Sequence, residues 1–305
     1  MGAFISVLDQ MLFFFLCIII GYVLKRSDIL PRDSDVAISR LISFVCMPAM
    51  IIGSFRSNCT PESLGANVSG LLFCIVMLAL TYAIAFVIAP KITDKPEEIM
   101  IFRYSLIITN FGFMGYPLIR ALFGEEALFL FMIFVLPASI FTNTFGVIWL
   151  TAGKRSFSWT MLLNPQFIAV ITGIILGLLS IPLPSFLLKT LDGCSNCFSP
   201  LAMILTGFVI ARYDLKSLLV RKEIYLVTLI RLVLIPVLFY GLCLLFRLPE
   251  NIRFMILFYS CMPLGLNTII FPAAYGGDEK PGAAMAIISN VIGLVTVPLF
   301  LTLVL

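Results

Sequence analysis

Histidine is absent from the 305 residues, and Asp, Glu, Lys and Arg together make up only 12%. Without histidine the chain lacks the commonest general base and the commonest metal ligand. It also has no GxSxG segment, no phosphate-binding loop and no carboxylate pair inside an apolar run. Neither nucleophilic nor acid–base catalysis has its parts, so no enzyme is expected. All sixteen Asp and Glu fall at the ends of apolar runs or between them, Asp9 coming nearest to an exception. A carboxylate at membrane depth that could carry a proton or bind sodium is therefore missing. The eight cysteines are scattered and read as small apolar fillers. Cys194-Ser-Asn-Cys197 is a lone CxxC, a weak metal signal that leaves a disulfide open. No cofactor, no metal and no nucleic-acid partner is expected.

What fills the chain is hydrocarbon. Apolar residues account for 61% of it and the mean hydropathy is +1.12, far outside the range of a soluble domain. About 20 apolar residues span a bilayer as a helix. Windows of that length fall at 5–24, 36–55, 66–89, 99–121, 127–150, 166–187, 194–211, 223–246, 252–274 and 282–304. The expectation is an all-α polytopic membrane protein of ten transmembrane helices with no soluble domain. The first window has no basic segment before it and no small-x-small site after Lys25 and Arg26, so it reads as a retained span rather than a leader.

The basic residues sort by side. Arg56, Arg120, Lys189, Arg247 and Arg253 fall on one face, Arg231 lies inside a span, and the remaining fourteen fall on the other face. The positive-inside rule puts the fourteen in the cytoplasm and both termini outside, in a multi-pass protein of the cell membrane.

The two halves share a layout. "IFRYSLIITNFGFMGYPLIRALFGEEA" (101–127) and "NIRFMILFYSCMPLGLNTIIFPAAYGGDE" (251–279) each run from an Arg through a Gly/Pro/Asn cluster to a Gly and paired acids. "SFVCMPAMIIGSF" (43–55) and "NCFSPLAMILTGF" (196–208) match in the same way. These pairs make residues 1–155 and 156–305 two five-helix repeats, and an odd number of spans inverts the second copy. Pro117, Pro263 and Pro272 read as the helix breaks, because proline lacks an N–H and glycine beside it tolerates non-helical angles. Irregular backbone at membrane depth survives only if it is buried in protein or lines a polar cavity.

The whole chain resembles the auxin efflux carrier family, within the bile acid/arsenite/riboflavin transporter-like superfamily. The likeness is carried by the N-x-G-x-x-G-x-P segment Asn110–Pro117, by "SCMPLGLNTIIFPAAYG" (260–276), "FVCMPAMI" (44–51), "SPLAMILTGF" (199–208) and "IRLVLIPVL" (230–238). The long hydrophilic loop of the large plant members is missing, leaving Thr151 to Pro165 between the halves. The resemblance implies that spans four and nine are broken and cross, with substrate beside the crossing. It also implies a scaffold of spans one, two, six and seven, a moving domain of spans three to five and eight to ten, and a homodimer through the scaffold.

A half-helix starting near Pro117 would offer free N–H groups and a positive dipole end to an anion, and the Asn110 amide can donate to a carboxylate. The expected substrate-binding set is Asn110, Gly112, Gly115 and Pro117 with Pro263, Gly265 and Asn267. Met47 can pack on the substrate from the scaffold side. Asn143 and Asn290 can reach the crossing or simply bond between helices. Together these readings point to a secondary transporter of a small organic anion such as a carboxylate, working by an elevator-like shift within the lipid bilayer. A sodium-coupled organic-anion symporter of the bile-acid type is the alternative within transporters, and a membrane sensor for such an anion the alternative outside them.

Overall fold

A computed structural model describes residues 2–31, 34–151, 156–214, 220–275 and 278–303. Arg32, Lys154, Arg155 and Lys216, counted above on the basic side, lie outside the described residues. Every regular element among the described residues is helical.

Proline sets much of the local geometry. Pro48, Pro117 and Pro236 each follow a single π-helical turn: Ile42–Cys46, Phe111–Gly115 and Ile230–Leu234. In each case the residue before the proline donates its N–H five residues back, Met47 to Ile42 O, Tyr116 to Phe111 O and Ile235 to Ile230 O. The widened turn makes room for the pyrrolidine ring, so the helix bends around the proline instead of stopping. Pro117 is therefore not a break. The break expected at Pro117 lies upstream, where helix Pro96–Ile107 ends and Ile108 becomes extended (φ −103°, ψ 132°). Pro272 does not break its helix either, since it lies inside Asn267–Tyr275.

Among the described residues six helices are long and apolar enough to cross a membrane: Phe4–Arg26, Ser34–Asn58, Pro61–Ile92, Ser185–Ile210, Lys222–Leu245 and Lys280–Leu301. The remaining apolar windows form shorter or interrupted helices. The window at 166–187 yields only Pro165–Leu178, because Leu179 leaves the helix, Ser180 takes φ +47° and Pro182 and Pro184 follow. Its neighbour gains what it loses: the helix expected at 194–211 begins at Ser185.

Residues 96–150 turn back on themselves. Gly124 adopts φ +85°, a conformation open to glycine. On either side of it Tyr116 meets Phe131 at 6.0 Å between ring centroids, and farther out Tyr104 lies against Gly146. Both contacts require the segments before and after Gly124 to run antiparallel. In the second half, Leu264 N–H donates to Ser289 Oγ (3.1 Å) and Thr268 lies against Gly282, which sets Asn267–Tyr275 antiparallel to the start of Lys280–Leu301.

Two further pairs of helices approach at backbone distance. A Cβ on Gly21 would lie 2.0 Å from Ile204 O and one on Gly207 1.8 Å from Ile18 O, which locks the first helix to Phe198–Ile210. A Cβ on Gly173 would lie 2.6 Å from Phe55 Cβ and one on Gly177 2.8 Å from Phe55 O, which locks Pro165–Leu178 to Met47–Asn58. Glycine at such crossings lets helices approach and gain van der Waals contact that lipid does not drive. All eight cysteines are free thiols.

Ion pairs sit at the helix ends. Arg212 pairs with Asp35. Arg221 holds Glu98 through two hydrogen bonds, Nη1 to Oε1 (2.9 Å) and Nη2 to Oε2 (2.7 Å), with Lys95 Nζ and Thr93 Oγ1 completing the shell. The Arg221 guanidinium lowers the Glu98 carboxyl from its ordinary 4.5 to about 2. A carboxyl held this low stabilises the fold above pH 4.5, and the contribution disappears as pH falls toward 2. Arg221 is partly exposed, so screening limits the gain: Glu98→Gln should cost about 1–2 kcal/mol at pH 7. In detergent, thermal melting of wild type and Glu98→Gln should differ at pH 7 and draw together as pH falls toward 2.

Candidate functional site

The two interrupted helices meet at their interruptions. Helix Pro96–Ile107 stops, Ile108 to Asn110 run irregularly, and a new helix begins at Phe111. Helix Glu250–Cys261 stops, Met262 is extended (φ −65°, ψ 143°), and a new helix begins at Asn267. Asn110 N–H donates to Pro263 O at 2.8 Å. A Cβ on Gly265 would stand 3.4 Å from Thr109 O and 3.6 Å from Asn110 Cα, so the crossing is close enough that any larger side chain meets the other strand. Tyr259 Oη donates to Ile107 O (3.1 Å), and the Tyr259 ring faces Phe111 at 6.0 Å. Asn267 Nδ2 donates to Tyr104 Oη (3.2 Å), a second tie across the crossing.

Beside the crossing lies a cavity of about 160 Å³. Its lining from the broken segments is Thr109, Asn110, Phe111, Gly112, Phe113 and Tyr116 with Asn267, Ile270 and Phe271. Ser39, Ser43, Met47, Thr142, Asn143, Asn164, Pro165 and Gln166 complete the lining. None of these residues is charged. Asn110 is 3% exposed, its side chain has no hydrogen-bond partner among the described residues, and it does not cap the helix it precedes. Thr109 Oγ1 is buried and unpartnered beside it. Phe111, Gly112 and Phe113 open one helix, and Asn267 and Thr268 open the other, so their N–H groups have no intrahelical acceptor. Two helix N-termini and an uncommitted amide thus lie beside one uncharged space lined by both polar and apolar residues.

Sequence reasoning placed Met47, Asn110, Gly112, Asn143 and Asn267 among the binding residues, and all five line this cavity. Asn143 commits its Nδ2 to Ser139 O (2.9 Å), leaving its oxygen for other partners. The others sit elsewhere. Gly115 faces Phe131, which a Cβ would approach to 3.2 Å. Pro117 lines a separate cavity at the opposite end with Arg120 and Ser195. Pro263 and Gly265 build the crossing without lining the cavity. Asn290 is 6% exposed and donates to Ala286 O (2.7 Å) within its own helix. Missed were Ser39, Ser43, Tyr116, Thr142, Asn164 and Gln166. Only Asn164 carried a local signal, as the residue before Pro165, and it indeed caps that helix by accepting from Phe167 N–H (3.0 Å).

The other end holds a cavity too, of about 310 Å³, bordered by Pro117, Arg120, Ser195 and Phe198. Arg120 donates to Ser195 Oγ (2.9 Å) and to Glu125 Oε1 (2.5 Å), and Phe113 stacks near Phe198 at 6.4 Å. The cavity at the crossing lies toward the end bearing Ser39 and Asn164.

Several long apolar helices, with two broken ones meeting beside an uncharged polar cavity, define a membrane transport protein. Sequence comparison gives the same class: a family model described as membrane transport protein matches residues 6–156 and 149–301. The chain belongs to this family, that of the auxin efflux carriers its motifs resemble. An uncharacterized transporter of Methanocaldococcus jannaschii is similar to it, 24% identical over 304 residues, covering 96% of this chain and 97% of the relative.

Proposed function

We propose that the protein is a secondary transporter of a small organic anion, such as a carboxylate, bound at the crossing of the two broken helices and moved by an elevator-type shift. The observation that carries this reading is the contact between the two breaks, Asn110 N–H on Pro263 O, beside a cavity lined by amides and hydroxyls. The substrate carboxylate accepts from the Asn110 amide and from the free N–H groups at Phe111–Phe113 and Asn267–Thr268. No side-chain charge is needed, because two helix N-termini supply about one positive charge between them. A volume near that of five waters suits a compact acid rather than a lipid-sized one.

The antiparallel runs on either side of Gly124, and of Asn267–Tyr275 against the start of Lys280–Leu301, support ten passes arranged as two inverted five-helix repeats, residues 1–155 and 156–305. The glycine-locked pairs support a rigid scaffold of spans one, two, six and seven, through which a homodimer forms. Spans three to five and eight to ten then move as a unit. The Arg120–Ser195 bond and the Phe113–Phe198 contact join the two units, and the cavity at the crossing lies on the side of Ser39 and Asn164. With the basic loops cytoplasmic, both termini lie outside a cell membrane.

A thermal-shift screen of mono- and dicarboxylates on the purified protein tests the substrate class. At least one small carboxylate should raise the melting temperature by more than about 3 °C at saturating concentration, while amines of the same size leave it unchanged. Stabilisation by amines alone would sink the anion reading.

A further inference from the structure

Arg231 is 1% exposed and sits in the π-helical turn Ile230–Leu234. No carboxylate of the described residues lies within ion-pair distance of it. Its Nη1 donates to Ser260 O (3.0 Å), in the last turn of helix Glu250–Cys261, while Nε and Nη2 are buried without partners. The neighbouring Tyr259 reaches the end of the other half-helix, donating to Ile107 O. The helices that stop at the crossing thus turn their C-terminal, negative ends toward the region that Arg231 and Tyr259 occupy. Their N-terminal, positive ends face the cavity instead.

Each helix end carries about half an elementary charge. Two C-termini therefore amount to about one negative charge at membrane depth, which one guanidinium balances. In broken-helix transporters such C-terminal ends and unwound carbonyls are where free cations bind. We infer that Arg231 is a tethered counter-cation for the half-helix C-termini, holding the breaks open so that the paired N-termini stay available to the anion. The inference rests on the anion-site reading above for the N-termini. It assigns Arg231 a positioning role, since it does not line the cavity.

The test is run on the empty, detergent-purified protein, so that it does not depend on knowing the anion. Arg231→Lys keeps the charge, Arg231→Gln keeps a donor without charge, and Arg231→Ala removes both. Arg231→Lys should melt within about 3 °C of wild type, and Arg231→Gln and Arg231→Ala at least about 8 °C lower. Guanidinium ion at 20 mM should recover half or more of the loss in Arg231→Ala, while 20 mM urea, of the same shape and uncharged, should recover none. Wild type should respond to neither. If Arg231→Gln melts with Arg231→Lys, or urea rescues as well as guanidinium, the charge is not what matters and the inference falls. Should Arg231→Ala not fold, the Lys–Gln comparison alone decides. Wild-type binding of carboxylates is read separately, so either idea can fail while the other stands.

Discussion

Replacing Asn110 by alanine lowers the affinity for the carried anion about 10- to 100-fold, the worth of one hydrogen bond to a charged group. The melting temperature without anion should stay within about 2 °C of wild type, because the side chain does little for the fold. What Asn110 does for the fold, it does through its backbone. Its N–H donates to Pro263 O, and its carbonyl accepts from Met114 N–H (3.2 Å) and Gly115 N–H (2.9 Å). Alanine keeps all three bonds. The amide caps no helix and bonds to no described residue, so its removal leaves no orphaned partner. An asparagine at a helix start that does not cap it departs from the usual local rule. Such departures concentrate at functional sites. Equilibrium binding, by calorimetry or scintillation proximity, checks the affinity, and a parallel melt checks the fold.

Gly207→Ala should abolish folding or cost more than about 3 kcal/mol, the upper end of what overpacking causes. The added methyl would sit 1.8 Å from Ile18 O, 2.7 Å from Tyr22 N and 2.8 Å from Ile18 C, all of them backbone atoms. A flexible side chain can swing away, but here the whole first helix has to move. Gly21 meets Ile204 O across the same contact, so no relief is available one turn along. Gly241→Ala is the control. Nothing lies within 4 Å of that position, and alanine favours the helix over glycine by about 1 kcal/mol. Size-exclusion profiles and melting of the two variants should differ sharply. Equal behaviour would mean that the two helices do not touch through Gly207.

Hydropathy exposed the membrane class, because 20-residue apolar runs have no other common explanation. It misjudged continuity. A broken helix is as apolar as an intact one, so the windows at 99–121 and 252–274 carry no mark of where the chain leaves helical geometry. Proline marked the break itself at Pro263 but only the region at Pro117. Pro117 is absorbed by a π turn, and the break lies at Ile108–Asn110, where the crossing strand at Pro263 supplies the missing hydrogen bond. That bond is tertiary and has no local signature. The same reason hid most of the cavity. Helices apolar on all sides lack the 3.6-residue pattern that reveals facing, so Ser39, Ser43 and Thr142 look no different from residues facing lipid. Asn110 was legible because a bare amide inside an apolar run calls for an explanation. Gln166 was not, because it stands beside a loop where amides are common.

The most direct measurement is counterflow in proteoliposomes. Vesicles loaded with the carboxylate that stabilises the protein most should accumulate the same radiolabelled carboxylate from outside, with uptake lost in protein-free vesicles and reduced at least tenfold by Asn110→Ala at sub-saturating substrate. Saturable binding without counterflow would contradict transport, and full counterflow by Asn110→Ala would contradict a site at the crossing.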